Sequence, residues 1–389
     1  MNASNKKYYP VRWENGMKLN KEVFQHQYNT HTYHDILWSR TSVNAYAYGL
    51  FLTPDDYDVH LSYDNQHTLH LRVVKLIAVT AGGYMIDIDA AKESSAGMES
   101  QPFSVNAGAD LADGEYYLVL LALPFDKTQI ALPENSNSTD VPSAPTRYDV
   151  QLLARESMQS PTAIHNGLVV GAIVVQNKKI SVNDNFIPAL MLVNAHADVL
   201  QWYAALMKVL ENIDYKSIQI IQKIIQKGQQ NELSRLVHKL CESVSAVLNI
   251  HLSRCTIANG NIAVLELMTV LSSLARSIKN AVDMNIGTGK EELMNYLSEW
   301  VNISPGTFEE TLTKVATVRY DSIDTNNNIN SVNYFITTAN HLFDTLHKLD
   351  FIGKKKDSGL FIKEENTGAA AVQANVEDQA KPKRRFFGY

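Results

Sequence analysis

The sequence predicts an α+β multidomain chain, β-rich up to about residue 190 and helical beyond it, and three observations predict this. Before "NDNFIPALMLV" the apolar residues fall in short runs, partly alternating, separated by Gly, Pro, Asn and Asp. After it they recur for long stretches at a period between 3.5 and 3.6. From about Gly353 the periodicity is lost.

In chain order, the first element is a helix. Asn20 has N-cap chemistry, Glu22 suits the positive end of a helix, and Phe24, Tyr28 and His31 recur at spacings of four and three. The reading is a short helix packed on the sheets. "TLHLRVVKLIAV" follows, rich in β-branched residues, with Leu69, Leu71 and Val73 alternating until Gly82-Gly83 breaks the run. Asp113-Gly114 supplies a turn before "YYLVLLAL" (Tyr116 to Leu123), and the stretch from Pro133 to Pro145 reads as a polar loop. "LVVGAIVV" (Leu168 to Val175) completes the set. These apolar runs are far shorter than the roughly 20 residues of a membrane-spanning helix, so they read as buried strands of a sandwich or barrel-like domain.

In the second half, Leu200, Tyr203, Met207 and Leu210 form one seam, and Val264, Met268, Leu271, Ala275, Ile278 and Val282 another. Leu233, Leu236, Leu240, Val244, Val247 and His251 supply a face between them, with breaks near Gly228 and Asn259-Gly260. Such short breaks favour antiparallel neighbours in an up-and-down bundle. Further helices are predicted across Lys290 to Val301, Thr307 to Val318 and Val332 to Leu349. In "SIQIIQKIIQ", Ile218, Ile220, Ile221, Ile224 and Ile225 lie on more than one side of the helix, and a second apolar face needs a second partner.

Composition narrows the function. A net charge of −6 does not suit phosphate neutralisation, so no nucleic-acid partner is expected. Cys241 and Cys255 belong to no CxxC pair and read as buried free thiols, which with the absence of an apolar run after Lys6 and Lys7 points to the cytoplasm. His26, His31 and His34 lack the HExxH spacing and any nearby cysteine, and His67 and His70, three apart in a strand-like run, point to opposite faces. "IGTGKEEL" (Ile286 to Leu293) lacks the first glycine of a phosphate loop, which would fall at Met284, and carries Glu291 where Ser or Thr is required. With no GxSxG, GxGxxG or paired carboxylates, no catalytic residue, metal or cofactor is assigned.

The stretch "WENGMKLNKEVFQHQ" resembles the N-terminal signature of the TssK family of type VI secretion baseplate subunits, Trp-x-Glu-Gly-Met-x-Leu-x-Pro-Gln-His-Phe-Gln-Gln-Gln. Trp13, Gly16, Met17, Leu19, Phe24, Gln25 and Gln27 match without a gap, whereas Asn15, Lys21, Glu22, Val23 and His26 depart. "AYGL" (Ala47 to Leu50) is similar to the family's Trp-Gly-Val strand start, with Tyr48 for Trp. "LLARE" (Leu152 to Glu156) and "ISVNDNFIPAL" (Ile180 to Leu190) resemble its Leu-Ala-Arg strand and its Phe-Ile-Pro-Pro junction, with Ala189 for the second proline.

The resemblance implies a homotrimeric structural adaptor rather than an enzyme. It implies an N-terminal β-sandwich shell like the shoulder of phage receptor-binding proteins over residues 1–193, a helical-bundle neck over 194–352, and a mostly disordered tail over 353–389. The shell would dock on the wedge proteins TssF and TssG, on the cytoplasmic side of the inner membrane. The seven matching residues would be docking anchors or shell packing, since Trp13 and Phe24 bring large rings, Gly16 a turn and Met17 an adaptable side chain. The family's C-terminal head is expected to be absent or much reduced, leaving the membrane-complex partner open. The basic and aromatic end, Lys381, Lys383, Arg384, Arg385, Phe386, Phe387 and Tyr389, is a candidate tether in its place. The competing readings are a phage or phage-like tail protein and an enzyme with dispersed catalytic residues.

Overall fold

The computed structural model describes residues 8–64, 66–95, 103–108, 111–122, 148–158, 164–285, 287 and 289–353. The chain begins with helix α1 (Lys21–Ser39), then β1 (Gly49–Leu50), β2 (Tyr57–Tyr63), β3 (Thr68–Val79), β4 (Met85–Asp89) and a short α2 (Ala90–Ser95). Strands β5 (Phe103–Asn106), β6 (Gly114–Ala122), β7 (Tyr148–Ala154), β8 (Gly167–Gln176) and β9 (Lys179–Val182) follow. β3 is the hub of the first antiparallel sheet and pairs along its length with β1, β2, β4 and β5. The second is antiparallel in the order β7-β6-β8-β9.

Alternation sorts the side chains. Leu69 and Leu71 of β3 share one apolar core with Leu118 and Leu120 of β6 and Leu168 of β8. Tyr117, Val119 and Val169 point the other way into a smaller cluster with Met158 and Ile323. The second sheet is therefore covered on both faces, which explains why β6 and β8 read as nearly unbroken apolar runs. Asp113 also closes the β8–β9 hairpin. Its carboxylate accepts from the backbone N–H groups of Asn177 and Lys178 at 3.1 and 3.4 Å, and both residues have the positive φ that a tight hairpin requires.

The second half is helical: α3 (Ala197–Gln226), α4 (Glu232–Ala258), α5 (Val264–Asp283), α6 (Lys290–Trp300), α7 (Pro305–Ala316) and α8 (Thr325–Lys348). Caps start and stop these helices. Asn231 accepts from Ser234 N–H, Ser304 accepts from Thr307 N–H with Pro305 in the first turn, and Asn259 ends α4 in the left-handed conformation. The seam Val264, Met268, Leu271, Ala275, Ile278 and Val282 is fully buried. α4 packs antiparallel to α3, with Tyr203 Oη donating to Cys255 O and Ser245 Oγ to Asp214. α8 runs parallel to α3: Trp202 Nε1 donates to Asn333, Asn212 Nδ2 to Asn340, and Lys216 pairs with Asp344. The last helix starts seven residues before its expected Val332, because the buried face of "TNNNINS" is mostly polar, Thr325, Asn326 and Asn328, with Ile329 its one buried apolar residue. Cys241 and Cys255 are buried free thiols.

The segment that leads from the sheets into the helices is held by backbone pairing. Leu50 N–H donates to Ala189 O at 2.9 Å, and Met191 N–H to Leu50 O at 2.8 Å. Gly49, at φ +101°, lies so close that a Cβ there would meet Ala189 O at 1.9 Å, so this position takes only glycine. Thr325, the first residue of α8, donates its N–H to Ile187 O at 2.9 Å and its hydroxyl to Pro188 O at 2.7 Å. The segments "AYGL" and "FIPAL" thus meet each other at the junction between sheets and helices.

Candidate functional site

The residues from Tyr8 to Ser39 form an arm. Val11 N–H donates to Gln27 Oε1 at 3.2 Å, and Thr30 Oγ1 donates to Tyr9 O at 3.0 Å, so the incoming strand lies back along α1. Between them, Gly16 at φ +80° sits in a turn closed by Met17 N–H to Glu14 O at 3.1 Å, the left-handed third residue that a type II turn requires. Asn20 caps α1 by accepting from Val23 N–H.

The expected burial of this helix is reversed. Only Thr30 of α1 is buried, and Phe24, Tyr28 and His31, read as the sheet-facing stripe, face outward with Trp38 continuing the line. Phe24 is 57% exposed, Trp13 53% and Trp38 73%. The opposite face, with Val23, Gln27 and Tyr33, is half-buried, and Tyr8 stacks obliquely on Tyr33 and His26. The two sheets already cover each other, so the arm finds no apolar seat on them. It is anchored at its C-terminal end instead: Arg40 Nε donates to Gly82 O at 2.8 Å, and a Cβ on Gly83 would meet Ile36 O at 2.8 Å. Gly82-Gly83, legible as a strand break, also serves as this seat.

The seven motif residues divide by role. Gln27 holds the arm together and Met17 is half-buried in it, while Trp13, Leu19, Phe24 and Gln25 are exposed, Gln25 bonding only along the helix to Asn29 at 2.9 Å. Exposed rings of this size fit a contact surface better than a core. Leu37 and Trp38 extend the apolar surface beyond the motif; the sequence signal is their place in the same helical stripe.

No histidine cluster assembles here. His26 bonds Tyr9 O at 2.8 Å, His31 contacts the Gln27 amide, and His34 meets the Tyr33 ring edge-on. His67 lies in the turn before β3 at φ +60°, not in the strand, because Asp64 accepts from Gln66 and Thr68 N–H and closes a loop there. His70, within β3, bonds Asp64 at 2.9 Å. Among the described residues no group of three or more His, Cys, Asp or Glu is placed to hold a metal ion. Lys290 of "IGTGKEEL" pairs with Asp283 at 2.7 Å and Glu309 at 3.4 Å, a helix-bracing role rather than a phosphate one.

The junction also holds a buried carboxylate, Asp324. Asp324 caps α8, accepting from Asn326 and Asn327 N–H at 2.9 and 3.4 Å, but its Oδ2 is buried with no partner among the described residues. Burial pushes its carboxyl up from 3.8 to about 6, and Asp321 nearby adds to the effect. Asp321 in turn faces Arg155, which also pairs with Glu115. This is the Arg of "LLARE", so three of the resembling segments converge on the junction. The basic and aromatic end, Lys381 to Tyr389, lies outside the described residues.

No family model matches the chain, and no curated protein matches it in sequence. Solved structures to which it is similar include a crystal structure of TssK, at 13% identity over 87% of this chain and 69% of that one, with a TM-score of 0.48. A structure of TssK from the type VI secretion system of EAEC with a nanobody gives 14%, 83%, 69% and 0.45. A TssK–TssF–TssG baseplate subcomplex of that kind of system gives 14%, 88%, 99% and 0.42. Identities of 13–14% and TM-scores below 0.5 say nothing about partners.

Proposed function

We propose that this chain is a structural, non-enzymatic subunit of a type VI secretion baseplate, a TssK-like adaptor that docks on wedge proteins of the TssF and TssG kind through its N-terminal arm. One observation carries the reading: the seven residues that match the family signature in register belong to an arm whose large rings, Trp13 and Phe24, are left in solvent. A motif held for packing alone would bury those rings. The supporting detail is that "AYGL", "LLARE" and "FIPAL", the other resembling segments, meet at one junction.

In this reading residues 1–193 are the shell, 194–352 the neck, and three copies assemble through the neck. The protein works in the cytoplasm against the inner membrane without spanning it; among the described residues no helix is long and apolar enough to cross. A membrane-side partner is reached from the end opposite the arm. The test is capture of TssF and TssG from the same organism by tagged full-length protein. Trp13→Ala with Phe24→Ala should abolish capture while leaving the melting temperature and oligomer mass unchanged. Undiminished capture would overturn the assignment of the arm.

A further inference from the structure

α1 meets the sheets through its last turn. Among the described residues no other helix or strand packs along it, and its one buried side chain, Thr30, bonds to Tyr9 O and His26 O within the arm. After Arg40 the chain turns through Thr41 and Ser42 and enters the core at Val43. The socket for that last turn is the connection between β3 and β4, Thr80 to Tyr84. Thr80 N–H donates to Tyr84 O at 2.9 Å, Gly83 N–H to Thr80 O at 2.9 Å, and the buried Thr80 hydroxyl accepts from Tyr84 N–H at 3.1 Å.

The two glycines of the socket take different neighbours. Gly82 N–H donates to His165 O at 2.8 Å and Thr80 Oγ1 donates to the same oxygen at 2.7 Å, so the segment that leads into β8 braces the turn from behind. A Cβ on Gly82 would meet His165 O at 2.2 Å. Gly83, at φ +83°, faces α1: a Cβ there would meet Ile36 O at 2.8 Å and Arg40 Cγ at 3.0 Å. Arg40 closes the seat, its Nε donating to Gly82 O at 2.8 Å. Contact between backbones leaves no rotamer to absorb a tilt. A socket at one end of a helix sets the direction of the other. About 24 Å of helix axis separate Phe24 from Arg40, so a tilt of about 10° at the seat carries the ring about 4 Å. Preorganised interfaces form with backbone shifts of about 1 Å or less, and a tilt of that size is enough to misplace the ring.

We propose that Arg40 and Gly83 are positioning residues of the arm: they touch no partner, and they fix the angle at which Trp13 and Phe24 are presented to the wedge proteins. The proposal rests on the docking reading above and assigns it the device that aims the rings. An arm held at one angle before the encounter lowers the ordering cost of binding, so loss of the seat weakens docking while every ring remains in place.

The test uses full-length protein and two readouts. The first needs no partner: spin labels on Lys21→Cys and Lys179→Cys, both exposed, in a tagged copy co-expressed with an excess of unlabelled chain; the native thiols are buried. Double electron–electron resonance should give a single narrow distance that shifts or broadens with Arg40→Ala and with Gly83→Ala. Arg40→Lys, whose amine keeps a donor for Gly82 O, should restore it. The second readout is affinity for a TssF–TssG complex. Arg40→Ala should bind about tenfold more weakly with the unfolding curve of wild type, and Arg40→Lys should recover most of the loss. Arg40→Ala should also cost less in a Phe24→Ala background than alone, because one of the rings it aims is gone. Should Gly83→Ala misfold, Arg40→Ala decides alone. An unchanged narrow distance in Arg40→Ala overturns the seat whatever the binding result. A broadened distance with wild-type affinity, or additive effects with Phe24→Ala, overturns the positioning role. Absence of TssF–TssG binding by wild type overturns the docking reading and with it the target of the arm, while the distance measurement still decides whether the seat fixes the arm.

Discussion

Asp324 at the head of α8 gives a pH-dependent stability that its replacement by asparagine should remove. The carboxyl is 1% exposed, one oxygen caps the helix, and the other has no partner among the described residues. Burial raises it from 3.8 in the unfolded chain to about 6 in the fold. The folded state therefore holds a proton that the unfolded state has released between about pH 4 and 6, and stability falls as pH rises through that window. The contribution is fully present below about pH 4 and lost above about pH 6. A rise of this size corresponds to about 3 kcal/mol. Asparagine keeps the cap acceptor and cannot ionise. Asp324→Asn should therefore match wild type at pH 4 and exceed it by about 2–3 kcal/mol at pH 8, read from urea unfolding at both values. Other titrating groups cancel in that comparison. A variant less stable than wild type at pH 8, or one whose advantage is the same at both values, would refute the reasoning.

Three further outcomes follow from the packing. Gly49→Ala puts a Cβ 1.9 Å from Ala189 O at φ +101° and should cost about 3 kcal/mol or more in urea unfolding, whereas Gly16→Ala, in open space at φ +80°, should cost about 1 kcal/mol. Equal costs would show that the junction does not depend on that close approach. Leu271→Asp places an unpaired carboxylate at a fully buried seam position and should destabilise the helical half by about 4 kcal/mol or more, with a matching drop in thermal melting by circular dichroism; an unchanged melt contradicts it. Deleting residues 381–389 should leave oligomer mass and TssF–TssG capture intact and reduce recovery of a membrane-side partner. Full recovery of every partner would make that end a passive tail.

Periodicity makes most of the architecture legible. β3 falls on "TLHLRVVKLIAV" residue for residue, and α6 and α7 lie within two residues of their expected ends. The failures have physical causes. The start of α8 is built from Thr325, Asn326 and Asn328, whose burial rests on hydrogen bonds to Asp321, Asp324 and Pro188 that no hydrophobic pattern records. His67 reads as part of a strand because the loop closed by Asp64 looks like a continuation of it. For α1 the stripe Phe24, Tyr28 and His31 is visible, but not its direction. Periodicity identifies a face and leaves open what that face meets, which depends on whether the sheets have already covered themselves. The seven motif residues are picked out through resemblance alone; Leu37, Trp38 and the Gly82-Gly83 seat need the fold.

The most direct measurement is the affinity of purified full-length protein for a TssF–TssG complex, wild type against Trp13→Ala/Phe24→Ala. Two large rings at the centre of an interface each contribute on the order of 2 kcal/mol or more, so the double variant should bind at least about a hundredfold more weakly while its unfolding curve superposes on wild type. Wild-type affinity in the double variant, or no binding by wild type at all, would contradict the account.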